Sequence, residues 1–164
     1  MLEEQRLNPL RHNRTAFDCG VVELNEYLKR FADQHRRKGI STTWVLVDAA
    51  ASAEILGYYS LSAAQVDAET LGDAERAKLP RYPVPCFRMG RLACSRDRRG
   101  QGLGNLLVGL AVDRCLKARE QVAAYALIVD AKDNGAAKFY RHYGFTAFQK
   151  QPLSLYLPLG KTSH

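Results

Sequence analysis

The chain lacks the features that would brace a fold from outside or tie it to a bilayer. Its four cysteines, Cys19, Cys86, Cys94 and Cys115, never stand as C-x-x-C, and its histidines are scattered at positions 12, 35, 142 and 164. The ligand spacing of a zinc site is therefore missing, and no metal is expected. A chain of 164 residues buries enough apolar surface to dispense with crosslinks, so free thiols in a reducing cytoplasm are the expectation. No apolar run reaches the roughly 18 residues of a membrane span, and the opening MLEEQRLNPLRHNR carries no signal-peptide block. Low-complexity tracts and repeats are absent as well, which argues against a disordered arm or a solenoid. One domain over residues 1–164 is expected.

Lys and Arg outnumber Asp and Glu by 24 to 17, a formal charge of +7. Such a surface favours an anionic partner, RNA or a phosphorylated cofactor, although solubility alone accounts for it equally well. Where the cations sit decides between the two.

Hydrophobic spacing lays out the elements. Leu24, Tyr27, Leu28 and Phe31 recur at helical intervals after Phe17-Asp18-Cys19-Gly20, with Asp18 or a near neighbour available as N-cap. The helix is expected to end in Arg36-Arg37-Lys38-Gly39, where cations suit the C-terminus and glycine can stop it. Residues 42–47 (TTWVLV) and 55–63 (ILGYYSLSA) read as an antiparallel hairpin. A polar helix over 70–79, a strand over 87–93, a helix from Leu103 that is apolar on most sides and largely buried, and a strand over 125–129 follow. A helix capped by Asp133 and ended near Gly144, then a strand over 153–157, complete the order. The compact solution is an α/β (α+β) fold, a mixed central sheet with helices on both faces.

Two segments carry chemistry. Arg99-Gly100-Gln101-Gly102-Leu103-Gly104 lies between a strand and a helix; three glycines in five residues free backbone N–H groups, and the helix start adds positive potential. With Arg96 and Arg98 alongside, this is a cradle for pyrophosphate. It is not a P-loop, since Asn105 follows Gly104, and the spacing G-x-G-x-x-G fails at Asn105 and at Leu107. The second segment, DNGAAKFYRHYGF from Asp133, places Tyr140 two turns after its cap, with Phe139 and Tyr143 free to pack while Tyr140 faces elsewhere.

R-x-x-G-x-G after a strand, then a strand, then a capped helix with F-Y and a following G-F, resembles the GNAT family of acetyl-coenzyme A dependent N-acetyltransferases over roughly residues 87–157. The opening Phe17-Asp18-Cys19-Gly20 with Leu24 and Tyr27-Leu28, the run Gly90-Arg91-Leu92-Ala93 and the run 129–133 (VDAKD) resemble, within that family, the toxins of toxin–antitoxin modules. The resemblance implies acetyl-CoA between two splayed parallel strands. Its pantetheine would be bonded by Leu92, Ala93 and Cys94, and its pyrophosphate held by Arg99, Gly100, Gln101, Gly102 and Gly104, with Arg98 of the cradle joining as a flanking cation. Asp133, where many members have asparagine, joins the cofactor contacts. The family tyrosine falls on Tyr140. The substrate implied is the free amine of aminoacyl-tRNA, and the partner a small ribbon-helix-helix antitoxin; a homodimer is also implied.

The chemistry stands on its own as well. An amine attacks the thioester carbonyl, a backbone N–H at 92–94 stabilises the oxyanion, and Tyr140, a phenol with an ordinary pKa near 10, protonates the departing thiolate. An aminoacyl amine, titrating at about 8 or lower, is already partly neutral, so no protein base is required. Arg36, Arg37, Lys38 and Arg91 are the candidate tRNA-phosphate contacts, although the first three also suit a helix end and Arg91 could pair within the sheet. Two further readings remain open: a GNAT enzyme acting on a small-molecule amine or a protein amino group, and a non-catalytic co-repressor or RNA-binding partner. Steep salt dependence of tRNA binding separates the first from the toxin, and loss of activity in Tyr140→Phe removes the second.

Overall fold

The computed structural model describes residues 1–160; the tail holding His164, and the last residues of the expected 1–164 domain, lie outside them. The elements are β1 (Leu2–Arg6), α1 (Val22–Glu26), a π-helical turn (Tyr27–Phe31), α2 (Ala32–Arg37), β2 (Thr42–Asp48) and β3 (Gly57–Val66). A 3-10 turn (Ala68–Thr70), α3 (Asp73–Lys78), β4 (Val84–Cys94), a second 3-10 turn (Arg96–Arg98) and α4 (Leu103–Ala118) follow. Last come β5 (Ala126–Asp130), α5 (Asn134–Tyr143), β6 (Thr146–Ala147) and β7 (Ser154–Pro158). The seven strands hydrogen-bond in the order β1-β2-β3-β4-β5-β7-β6. β4 and β5 run parallel, Phe87 to Met89 beside Leu127 to Val129, and β4 continues to Cys94. The expected mixed sheet is present.

The chain divides into two compact units, Met1–Ser62 with Gly90–Ala111 and Ala63–Met89 with Val112–His164. In the first, the hairpin β2–β3 forms as expected, with Trp44 opposite Tyr59 and Val45 opposite Tyr58. Tyr27, Leu28 and Ala32 pack with Val45, Val47 and Tyr58. Each such fully buried large side chain contributes about 1.5–3 kcal/mol relative to exposure. Tyr58 Oη also donates to the Leu24 carbonyl at 2.6 Å, pinning the helix to β3. In the second unit, Val84, Cys86, Ala126, Ile128 and Tyr156 form one buried face with Ala68, Leu71 and Phe148.

Several expectations are corrected. Asp18 does not cap the first helix; Val21 occupies that position without a side-chain bond. The π turn inserts a residue, which rotates the apolar face so that Ala32 is buried and Phe31 swings out to 45% exposure. The 70–79 helix shrinks to six residues, Asp73–Lys78. α4 is not buried on most sides: Leu103, Leu107, Val108, Ala111 and Cys115 make one inner face, while Leu106 and Leu116 stay exposed. β1 and β6 had no signature in the sequence. β1 is polar, LEEQR, and exists by pairing antiparallel with β2.

Candidate functional site

The cradle lies in the first unit. Ser95 N donates to the Leu56 carbonyl at 2.8 Å as β4 ends, and the turn Arg96–Arg98 leads into two glycines with positive φ, Gly100 (80°) and Gly102 (75°). At φ near +80° a side chain is strained, and glycine alone adopts it freely. Among the described residues, chain neighbours aside, no atom stands within 4 Å of where a Cβ on either glycine would be, so the backbone here is open to an approaching group. Gly104 is already in the first turn of α4, whose unpaired N–H groups point back toward the glycine turn that precedes the helix. Gln101 is exposed and Arg98 half-buried. Arg99 Nη2 donates to the Cys19 carbonyl at 3.1 Å, bringing the 17–20 segment into the site, a contact for which the sequence offered only the unusual run Phe17-Asp18-Cys19-Gly20. Exposed N–H groups, a helix start and two arginines fit a pyrophosphate.

Leu92, Ala93 and Cys94 end β4, with Ala93 buried. Gly57 of β3 lets the strands approach: a Cβ there would meet the Ala93 carbonyl oxygen at 3.0 Å and Leu107 at 2.8 Å. Burial pushes the Cys94 thiol up to about 11, and nearby Cys19 adds to it. Cys94 is therefore a protonated thiol at neutral pH, a poor nucleophile.

The cations are distributed on the first unit. Arg36 and Arg37 both reach Asp33, at 3.1 and 3.2 Å, from exposed positions. Exposed pairs of this kind are worth little and leave the guanidinium groups available to phosphate. Lys38 is the helix C-cap, and Gly39 (φ 74°) follows, with its N–H donating to the Arg36 carbonyl, as the sequence implied. Among the described residues Arg91 has no acidic partner. Its guanidinium lies 3.6 Å from the ring centroid of Tyr27, whose hydroxyl meets Ser41 Oγ at 2.7 Å and His35 Nδ1 at 3.1 Å.

Asp133 and Tyr140 belong to the second unit. Asp133 caps α5 as expected, its carboxylate accepting from Ala136 N at 2.8 Å, and Gly144 (φ 123°) ends the helix. The packing of the aromatics corrects the expectation in part: Phe139 is half-buried and packs, but Tyr140 does not face away from the packing. Tyr140 is buried, edge-on to Phe139 at 5.2 Å and Phe145 at 5.5 Å, whereas Tyr143 is exposed. Among the described residues no group of three His, Cys, Asp or Glu converges as a metal site, and no helix is long and apolar enough to cross a membrane.

Residues 39–147 match the family described as acetyltransferase (GNAT) domain. A curated tRNA-acetylating toxin of Mycobacterium tuberculosis (strain ATCC 25618 / H37Rv) is 31% identical over 143 residues, 87% of this chain and 84% of the relative. The structure is similar to that of AtaT complexed with acetyl-methionyl-tRNAfMet, with TM-score 0.89 and 27% identity over 96% of this chain and 95% of the other. It is also similar to a tyrosine-to-phenylalanine mutant of the AtaT toxin bound to the C-terminus of the antitoxin AtaR and acetyl-CoA, with TM-score 0.82 and 26% identity over 96% and 93%.

Proposed function

The chain belongs to the GNAT acetyltransferase family, and from that premise we propose that it is an acetyl-CoA dependent N-acetyltransferase toxin that modifies the free amine of aminoacyl-tRNA. The observation that carries the reading is the open glycine cradle ahead of α4, flanked by Arg98 and Arg99. The likeness to a tRNA-acetylating toxin and to AtaT with acetyl-methionyl-tRNAfMet supports the substrate. Acetylation removes the nucleophile that peptide-bond formation needs, so translation stops.

Acetyl-CoA supplies an activated acetyl thioester. Arg98, Arg99, Gly100, Gln101, Gly102 and Gly104 hold its pyrophosphate, and the backbone of Leu92, Ala93 and Cys94 takes the pantetheine. A backbone N–H at 92–94 donates to the carbonyl oxygen as negative charge gathers there. Tyr140 donates its phenolic proton to the leaving sulfur. Asp133 holds the start of α5 and, through it, the helix that carries Tyr140; a contact of its own with the cofactor belongs to the same reading. With Cys94 protonated, transfer to the amine is direct rather than through an acetyl-cysteine.

Arg36, Arg37, Lys38 and Arg91 meet tRNA phosphates. The chain works as one GNAT domain in the cytoplasm, pairs as a homodimer, and is neutralised by a ribbon-helix-helix antitoxin; the AtaT–AtaR complex supports an antitoxin partner. A cell-free translation extract tests the reading. Added wild-type protein with acetyl-CoA is expected to stop synthesis, and Tyr140→Phe to lower the inhibitory rate about 10²-fold or more. Continued synthesis with active wild-type enzyme overturns the toxin; equal inhibition by the variant overturns the acid role.

A further inference from the structure

Arg99 does not stand alone in its loop. Its Nη2 donates to the Cys19 carbonyl oxygen at 3.1 Å, and the turn that presents this oxygen is fixed at every neighbouring position. Cys19 N donates to Asn25 Oδ1 at 2.9 Å, and Asp18 Oδ1 accepts from Gly20 N at 2.8 Å and from Asn25 Nδ2 at 3.0 Å. The Asp18 carbonyl accepts from Arg96 N at 2.9 Å, and Asp18 Oδ2 faces Arg96 Nη1 at 3.4 Å. Gly20 completes the turn at φ 85°, and a Cβ there would stand 2.7 Å from Arg99 Nη2. The guanidinium thus rests against the bare face of a glycine.

Two consequences follow from this geometry. An exposed arginine on a glycine-rich loop samples many rotamers, and a carbonyl that captures one N–H restricts them before a ligand arrives. Among the described residues the Cys19 carbonyl is the only acceptor that the Arg99 guanidinium engages, so the rest of its donor fork stays available for phosphate oxygens. The Asp18 carboxyl is held below the usual carboxylate range, by the Asn25 amide first and the Gly20 N–H next, and so remains an acceptor throughout the neutral range.

We propose that the 17–20 segment is a positioning clamp for the cofactor: Asp18 and Gly20 set the Arg99 guanidinium, and through it the affinity for the pyrophosphate, without touching the reacting atoms. The inference rests on the reading of Arg99 as a pyrophosphate ligand.

Calorimetry with acetyl-CoA, alongside turnover with acetyl-CoA and with S-acetylpantetheine, which lacks the phosphates, tests it. Asp18→Asn and Gly20→Ala are expected to raise the acetyl-CoA Kd about tenfold, the effect of one misplaced charge-assisted hydrogen bond. At saturating acetyl-CoA kcat should stay within about twofold, and kcat/KM for S-acetylpantetheine should not change. In an Arg99→Ala background, Asp18→Asn should add less than about twofold, because both act through one contact. An unchanged Kd in Asp18→Asn, an equal loss with S-acetylpantetheine, or full additivity with Arg99→Ala overturns the clamp. Gly20→Ala also strains the backbone; if it does not fold, Asp18→Asn decides. If Arg99→Ala itself leaves the Kd unchanged, the pyrophosphate reading falls and takes the clamp with it.

Discussion

His12 is buried, with both ring nitrogens engaged. Nδ1 accepts from Asn8 N at 3.0 Å, which requires it to be bare, so Nε2 carries the proton and meets Gln5 Oε1 at 2.9 Å. Burial first, and the Arg11 charge second, hold its pKa below the ordinary 6.5. The unfolded chain therefore takes up this proton first as pH falls. The contribution of His12 to stability is complete above about pH 6.5 and is lost as pH drops from there through the depressed folded value. Denaturant unfolding at a series of pH values should show stability falling below that point, with a shallower fall in His12→Asn; equal slopes would contradict the assignment. Tyr140 teaches a different lesson at the same scale. Its position two turns after the Asp133 cap was legible from spacing, but which aromatic of α5 is buried was not. That depends on Phe145, which turns back after Gly144 to meet it.

Among the elements, those with strong periodicity or caps were legible: β2 and β3 from their β-branched and aromatic residues, and α5 from Asp133 and Gly144. The π turn at Tyr27–Phe31 was not, because the local sequence is equally compatible with a regular helix. What the insertion accommodates is tertiary, namely Tyr27 seated under Arg91 and bonded to Ser41 and His35. β1 was illegible for a related reason: its polar residues gain their backbone partners from β2 rather than from an apolar face of their own. The close approach of β3 to the end of β4 gives a prediction here. Gly57→Ala places a methyl against the Ala93 carbonyl and Leu107, and should destabilise the protein by about 1–3 kcal/mol, as overpacking does. A denaturation midpoint equal to that of wild type would show that the strands have room to spare.

For the whole molecule, the order of motifs pointed to an enzyme handling phosphorylated ligands, whereas the charge of +7 suited solubility equally well. The cradle was legible because glycine at φ near +80° and arginine beside a helix start are properties of residues rather than of packing. The clamp on Arg99 was not, since Gly20 and Arg99 are far apart in the chain and meet only on folding. Acetylation of one kind of amine, the free amine of aminoacyl-tRNA, is tested most directly by one measurement. The purified protein is incubated with acetyl-labelled coenzyme A and a total charged tRNA pool, beside uncharged tRNA and a panel of small amines. Label is expected on charged tRNA alone, released when the aminoacyl ester is hydrolysed. Label on a small amine with none on tRNA would contradict it.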